Sequence, residues 1–152
     1  MVWGSILDSA TFIEAIEQLE ANLVMDDICV GSRFYWPDVE LTADPLDGLA
    51  HRYLVAIKCP RTFYVDSGKA KKSHQQGLET RFGYLGEYIT EWGVDGVILQ
   101  AMRYCDIHGY DVPQVRDYLK HIGVPSLYIE YDYSQATAQM GTRVQAFLEM
   151  IS

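Results

Sequence analysis

Apolar and polar residues alternate in two different patterns along the chain. Short, nearly continuous apolar runs predict β-strands, and longer segments with apolar residues three and four positions apart predict amphipathic helices. The predicted strands are WGSIL (3–7), NLVMDDI (22–28), VDGVILQ (94–100) and VPSLYIEYD (124–132). The predicted helices are ATFIEAIEQLEA (10–21), PLDGLAHRYLVAI (45–57), Ser73 to Trp92, VPQVRDYLKHIG (112–123) and QATAQMGTRVQAFLEMI (135–151).

Individual residues within this pattern set the expected boundaries. The polar pair Asp26-Asp27 is expected to stop the second strand. Pro113 is expected in the first turn of its helix, and Gly123 just past the end of that helix. The run VDGVILQ is rich in β-branched residues, which predicts a strand covered on both faces.

The order of these elements, β-α-β-α-α-β-α-β-α, predicts the fold class. It indicates an α/β, three-layer, flavodoxin- or Rossmann-like domain with a parallel sheet of about four strands. A chain of 152 residues is expected to form this as a single domain spanning residues 1–152.

The longest irregular stretch, CVGSRFYWPDVELTAD (29–44), contains three consecutive aromatic residues, Phe34, Tyr35 and Trp36. Loops of this length in compact domains usually carry function or await a partner. Because three successive aromatic side chains in an irregular loop cannot all point inward, they are expected to form a contact surface or a lid.

Composition and charge narrow the classes of function. The chain is 49% hydrophobic and 22% charged with a net charge of −9, which predicts a folded protein and argues against nucleic acid as a partner. No apolar run approaches the roughly 20 residues of a membrane span, and no secretory signal is visible, so we expect a cytoplasmic protein that does not bind membranes. The lysines in DSGKAKKS (Lys69, Lys71, Lys72) are expected to lie in a solvated loop.

Residues capable of chemistry fall where the predicted parallel strands end, the edge at which open α/β sheets bind ligands. They comprise Asp8, Ser9, Asp26, Asp27, Cys29, Gln100, Arg103, Tyr104, Cys105, Asp106, His108, Glu130, Asp132, Tyr133 and Ser134.

Three cysteines, Cys29, Cys59 and Cys105, are too few and too widely spaced for a disulfide framework or a local zinc site. From the residues alone, Cys105 is a buried structural thiol, a nucleophile served by His108, or one ligand of a metal cluster completed elsewhere. The spacing does not decide among these three interpretations.

Several motifs together resemble the 2-hydroxyacyl-CoA dehydratase family, which also contains the subunits of ATP-dependent benzoyl-CoA reductase. The resemblance rests on GSILDSATFIEAIEQLEANLVMDDICVGSRFYW, DPLDGLAHRYL, IKCP, EYITEWGVDGVILQAMRYCDIHGYDVPQVRDYLKHIGVPSLYIEYDYS and TRVQAFLEM. It covers nearly the whole chain in order, and is similar to the C-terminal part of longer subunits. On this resemblance the chain looks like a truncated gene product or an expressed fragment.

The resemblance implies that Cys105, in RYCD, occupies the place of a cysteine that ligates a [4Fe-4S] cluster, which has three cysteine ligands per subunit. Cys29 and Cys59 belong to family motifs but are not carried over as ligands, and Ile107 stands where the family usually has proline. Gln100, Arg103 and Tyr104 are then candidates for supporting the cluster or facing substrate. Ser134 opens the last helix, where capping is the favoured role and binding of an anionic ligand the other.

The resemblance also implies radical chemistry on an acyl-CoA. An ATP-dependent activator protein delivers one electron to the cluster, and the thioester is reduced to a ketyl radical in the dehydratases, whereas the aromatic ring accepts electrons in the reductases. The implied partners are the acyl-CoA substrate, the missing N-terminal part of the subunit, a homologous partner subunit and the activator.

With a single cluster ligand, the isolated chain is expected to fold but to be inactive, and its aromatic loop to promote self-association. The competing hypothesis is a stand-alone, non-catalytic binding or dimerisation module whose cysteines are all structural.

Overall fold

The fold is a four-stranded parallel sheet with helices on both faces, as the sequence predicts. The computed structural model describes residues 1–60, 62, 73–132 and 138–152. The strands are β1 (Val2–Gly4), β2 (Asp26–Ile28), β3 (Val97–Met102) and β4 (Ser126–Tyr131), in the order β2-β1-β3-β4. The helices are α1 (Thr11–Glu17), α2 (Ser32–Tyr35), α3 (Pro45–His51), α4 (His74–Glu91), α5 (Asp106–His121) and α6 (Ala138–Ile151), and a π-helical turn (Arg52–Ala56) follows α3 directly.

Two hydrophobic layers enclose the sheet. Trp3, Leu85 and Val115 represent the core between the sheet and helices α4 and α5, and Phe12 and Val144 represent the core between the sheet and helices α1 and α6. Strand β3 alternates between them, because Val97 and Leu99 pack in the first core while Ile98 packs in the second. This confirms the prediction of a strand covered on both faces.

Helix α4 matches its sequence pattern closely. Its predicted inner stripe, Leu78, Phe82, Leu85 and Ile89, is buried. Ser73 caps the helix through a reciprocal capping box with Gln76, which satisfies two of the backbone groups left without intrahelical partners.

Helix α5 begins at Asp106, six residues before the predicted start at Val112, so the placement of Pro113 in its first turn is wrong. The buried stripe of the helix runs through His108, Asp111 and Val112 before it reaches the apolar residues further on. Because its first inward positions are polar, an apolar pattern detects the helix only from Val112. This correction places Cys105 immediately before the first residue of the helix.

The acidic pair Asp26-Asp27 does not stop the second strand, as the sequence analysis expected, but forms two of the three residues of β2. Asp27 is only 1% exposed. A buried carboxylate inside a strand requires a partner, and Arg33 supplies it, with Nε 2.7 Å from Asp27 Oδ1.

The structure modifies two further predictions, and two others concern residues that it does not describe. The predicted helix 45–57 consists of α3 followed by the π-helical turn, and the irregular stretch 29–44 contains the short helix α2. The lysine cluster (Lys69, Lys71, Lys72) and Ser134 lie outside the described residues. Within the described part of the chain, every helix is too short or too polar to cross a bilayer.

Candidate functional site

The carboxyl edge of the sheet gathers Cys105, His108, Cys29 and Arg33. The chain leaves β3 through a tight turn in which the Cys105 N–H donates to Met102 O at 2.9 Å. Tyr104, the third residue of that turn, has φ +68°, a left-handed conformation that non-glycine residues adopt at a cost. The turn brings Cys105 to the start of α5, where its carbonyl accepts from the Gly109 N–H at 2.9 Å.

His108 lies between the two thiols. Its Nδ1 is 3.3 Å from Cys105 Sγ, and its Nε2 is 3.9 Å from Cys29 Sγ. The residue is 2% exposed, and its ring meets the Trp3 ring edge-on with the centroids 5.3 Å apart. Cys29 and Cys105 are both partly buried, and neither forms a disulfide.

Arg33 is held by acceptors from three elements. Its Nη1 donates to Gly4 O at 3.1 Å and to His108 Nε2 at 3.0 Å, while its Nε donates to Asp27 Oδ1 at 2.7 Å and its Nη2 to Asp27 O at 2.5 Å. The guanidinium carbon lies 5.4 Å from the centre of the Trp3 ring. This geometry fixes the guanidinium in position and in orientation.

Local sequence explains how Arg33 reaches this position. The Asp26 carboxylate accepts the Ser32 backbone N–H, at 2.8 Å for Oδ2, and so turns the chain back over β2. A β-carbon on Gly31 would lie 2.5 Å from Asp26 Oδ1, so any larger residue would displace the Asp26 carboxylate. At Gly4 a β-carbon would lie 1.8 Å from Gln100 O, which makes glycine necessary at the strand end whose carbonyl receives Arg33.

Tyr84 of α4 completes the network, donating its hydroxyl to Asp27 Oδ2 at 2.9 Å. Burial, followed by the negative charge of Asp27, raises the pKa of the Tyr84 hydroxyl well above its ordinary value. Burial lowers the pKa of Arg33, but the charge of Asp27 and the hydrogen bond to it reverse that effect, and the pKa of Arg33 is raised overall. Arg33 therefore stays charged beside the buried Asp27 carboxyl group, 2.7 Å from it.

The residues placed near the cluster by the sequence analysis occupy three different environments. Gln100 is fully buried and pairs with Ser5, donating from Nε2 to Ser5 O at 2.6 Å. Arg103 lies at the surface, with Nε 3.1 Å from Glu130 Oε1 and Nη1 3.8 Å from Asp132 Oδ2. Tyr104 is 91% exposed.

A cleft of about 440 Å³ opens beside Cys105. Tyr104, Asp106, Tyr110 and Glu130 contribute to its lining. Its volume falls within the range of roughly 300–1,000 Å³ that is typical of ligand pockets. Cys59 lies away from this cleft, buried in a second cavity next to Thr62.

The [4Fe-4S] cluster that the resemblance implies would find one suitable donor at this edge of the sheet. Cys105 has the right donor atom at an accessible edge of the sheet, and thiolates are the usual ligands of iron–sulfur clusters. Among the described residues, no group of three or more cysteine, histidine, aspartate and glutamate side chains converges to hold a metal ion. The residues present therefore fit one ligand of a cluster, and the remaining ligands would have to come from elsewhere.

Sequence reasoning missed the role of Arg33, and with it the link between Asp27 and His108. A charged residue between Gly31-Ser32 and an aromatic run, in a stretch without apolar periodicity, is typical of a solvated loop. The available signal was the acidic pair within an otherwise apolar strand run, because a carboxylate there needs a buried cation nearby.

A second feature is an exposed apolar surface on α2, α3 and the π-helical turn. Tyr35 is 67% exposed, and Phe34 and Trp36 are exposed as well, which agrees with the expectation that they do not all point inward. Trp36 stacks on Tyr88 with the ring centroids 5.5 Å apart. We call this the α2–α3 apolar surface; it comprises Phe34, Tyr35, Trp36, Leu46, Leu49, Tyr53, Leu54 and Val55.

Comparison with known proteins places the chain among acyl-CoA dehydratase subunits. The chain is 30% identical, over 97% of its length, to the (R)-phenyllactyl-CoA dehydratase beta subunit of Clostridium sporogenes, of which it covers 36%. It is 24% identical to the lactoyl-CoA dehydratase subunit beta of Anaerotignum propionicum over 99% of its length, and 28% identical to the putative dehydratase subunit YjiM of Escherichia coli (strain K12) over 91%, covering 38% and 33% of those proteins. The chain thus spans about a third of the length of these relatives.

A family model described as 2-hydroxyglutaryl-CoA dehydratase, D-component, matches residues 1–151. This match covers β1 to α6, including the turn that carries Cys105. The chain belongs to the 2-hydroxyglutaryl-CoA dehydratase D-component family.

Proposed function

We propose that this chain is the C-terminal α/β domain of a 2-hydroxyacyl-CoA dehydratase or benzoyl-CoA reductase subunit, and that Cys105 is one of the ligands of its [4Fe-4S] cluster. One observation carries the assignment: Cys105 Sγ is held at the carboxyl edge of the sheet, beside an open cleft and 3.3 Å from His108 Nδ1. Cys59 is buried and Cys29 lies on the other side of the His108 ring, so Cys105 is the best-placed thiolate.

The family and the cleft at the carboxyl edge of the sheet support the proposed substrate class. Relatives are named for phenyllactyl-CoA and lactoyl-CoA, so the proposed substrate is a 2-hydroxyacyl-CoA thioester, with an aromatic acyl-CoA as the counterpart in a reductase. The cluster, when bound, supplies the low-potential electron for a radical elimination or reduction. The cleft beside Cys105 would receive part of the acyl group, and Gln100, Arg103 and Tyr104 would support it only indirectly or from its rim.

The proposal includes the partners. The other cysteine ligands would come from a portion of the subunit absent from this chain, and a homologous subunit and an ATP-dependent activator protein would complete a cytoplasmic enzyme. Names of two relatives as beta subunits support a multi-subunit assembly. Ser134, outside the described residues, stays a candidate for capping the last helix or contacting an anionic group.

Anaerobic reconstitution with iron, sulfide and an excess of a small thiol tests the ligand assignment, because the small thiol can supply the missing thiolates. We expect the chain, Cys29→Ser and Cys59→Ser to acquire the same iron and sulfide content and visible absorption, and Cys105→Ser to lose both. Equal loading of Cys105→Ser, or no loading of the unaltered chain, would contradict the proposal.

The α2–α3 apolar surface supports a second candidate, a stand-alone binding or dimerisation module with structural cysteines. It predicts dimerisation through that surface together with indifference of all three cysteine variants in the same reconstitution. Loading that depends on Cys105 alone excludes it.

A further inference from the structure

We propose that His108 is a positioning residue that donates a hydrogen bond from Nδ1 to Cys105 Sγ, and that Arg33, held by Asp27, sets the direction of that bond. The hydrogen-bond direction concerns this chain alone, whereas its effect on a cluster rests on the proposed function.

The direction of the hydrogen bond follows from the donor inventory. An arginine guanidinium has five N–H donors and no acceptor. Since Arg33 Nη1 lies 3.0 Å from His108 Nε2, the Nε2 lone pair must accept that bond. A neutral imidazole with an accepting Nε2 carries its proton on Nδ1, which is the nitrogen 3.3 Å from Cys105 Sγ.

Arg33 can impose this direction because it cannot turn away. Its side chain is 2% exposed, and its Nε, Nη1 and Nη2 donate to Asp27, Gly4 and His108. Reversal of the imidazole would bring two N–H donors face to face at 3.0 Å inside the protein, where the repulsion is poorly screened.

The surroundings of His108 also fix the position of its ring. It is buried, it contacts the Trp3 ring edge-on, and it stands on the first turn of α5, three residues after Cys105. The ring also separates the two sulfurs, because Cys105 faces Nδ1 and Cys29 faces Nε2. The hydrogen bond donated by Nδ1 is therefore directed at Cys105 and not at Cys29.

A donated hydrogen bond at a ligand sulfur has a definite consequence. It withdraws charge from the thiolate and fixes the direction of its lone pairs, which tunes the reduction potential of an attached cluster. The network Tyr84–Asp27–Arg33–His108 would thus act on the cluster through one sulfur, with no residue of the network touching iron or substrate.

The first experiment needs no cluster. Two-bond ¹H–¹⁵N correlation of the histidine-labelled chain distinguishes the Nδ1–H tautomer, the Nε2–H tautomer and the imidazolium. We expect His108 to show the Nδ1–H pattern, while the exposed His51 and His121 average between tautomers. An Nε2–H tautomer or an imidazolium at His108 overturns the proposal.

Variants locate the cause of the tautomer. Arg33→Met should leave His108 averaging between tautomers, and Arg33→Lys, which retains a donor, should preserve the Nδ1–H pattern. Arg81→Met is the matched control, since Arg81 of α4 pairs with Asp111 on α5, the helix that carries His108, but lies outside the network. If Arg33→Met does not fold, the unaltered chain and Arg33→Lys still test the proposal, because the proposal requires the Nδ1–H tautomer of His108 in both.

The second experiment uses the thiol-assisted loaded chain and follows its midpoint potential by EPR. His108→Phe keeps a ring without a donor and should shift the potential to more negative values, whereas His108→Asn, whose amide N–H can replace Nδ1–H, should restore it. Equal potentials in all three chains refute the effect on the cluster. A chain that loads no cluster contradicts the proposed function, while the tautomer measurement still judges the hydrogen bond.

Discussion

The buried ion pair between Asp27 and Arg33 makes a strong prediction about stability. Both side chains are at most 2% exposed, so removal of one partner leaves the other charge inside the protein. Loss of one partner of a buried pair typically costs about 3–5 kcal/mol. We therefore expect Arg33→Met to lower the free energy of unfolding by about 3–5 kcal/mol, and the midpoint of thermal unfolding by roughly 10 °C for a chain of this size.

Asp27→Asn should cost a similar amount, because the guanidinium would lose its counter-charge. The double variant Asp27→Asn/Arg33→Met removes both charges, and its asparagine can still accept from the Tyr84 hydroxyl. Its destabilisation should therefore fall short of the sum of the single variants by about 2–3 kcal/mol, the size of coupling expected for groups in one network.

Urea unfolding followed by far-UV circular dichroism and tryptophan fluorescence measures these free energies. Arg103→Met provides the control, since Arg103 also pairs with a carboxylate, at 3.1 Å, but at the surface, and its loss should leave the midpoint nearly unchanged. Single variants within about 1 kcal/mol of the unaltered chain, or costs that add without coupling, would refute the reasoning.

The remaining predictions concern Tyr104, the α2–α3 apolar surface and Tyr84. Tyr104 has a left-handed backbone and an exposed side chain, so Tyr104→Gly should be about 1 kcal/mol more stable than Tyr104→Ala in urea unfolding; equal stabilities would argue against backbone strain there. The chain should self-associate in sedimentation velocity, and Tyr35→Ser/Leu54→Ser should remain monomeric at the same concentration; unchanged association would exclude this surface. The folded state raises the pKa of Tyr84, so unfolding releases its proton above about pH 10 and stability falls as pH rises; Tyr84→Phe should lose less stability between about pH 8 and 11, and an equal loss would contradict this.

The features of the fold that could be predicted from the sequence are those stabilised by burial of apolar side chains. The inner stripe of α4 and the two-sided burial of β3 repeat with helical and strand periods, and both are present as predicted. The order of the elements sufficed to predict a parallel sheet, because strands separated by helices pair in parallel.

The features that the sequence pattern did not predict are those in which polar side chains are buried. The start of α5 was missed because His108 and Asp111 face inward, and β2 was misjudged because Asp27 lies inside it. In each case a polar group is buried against a charged partner on another element, Arg81 of α4 for Asp111 and Arg33 of α2 for Asp27. A pattern of apolar residues carries no information about such pairs. Hydropathy therefore predicts the bounds of helices and strands poorly at the candidate site, where polar side chains are buried.

The same polar burial fixes the position of Cys105 through residues of this chain. The turn at Tyr104, the start of α5 and the contact with His108 all belong to this chain, and Arg33 ties them to β1 and β2. If Cys105 ligates a cluster, its sulfur is thus oriented before the other ligands arrive, and assembly orders only the remaining thiolates. A buried ion pair contributes little net stability compared with apolar residues of the same volume. Its presence next to His108 is therefore better explained by the orientation of the Cys105 sulfur than by stability of the sheet.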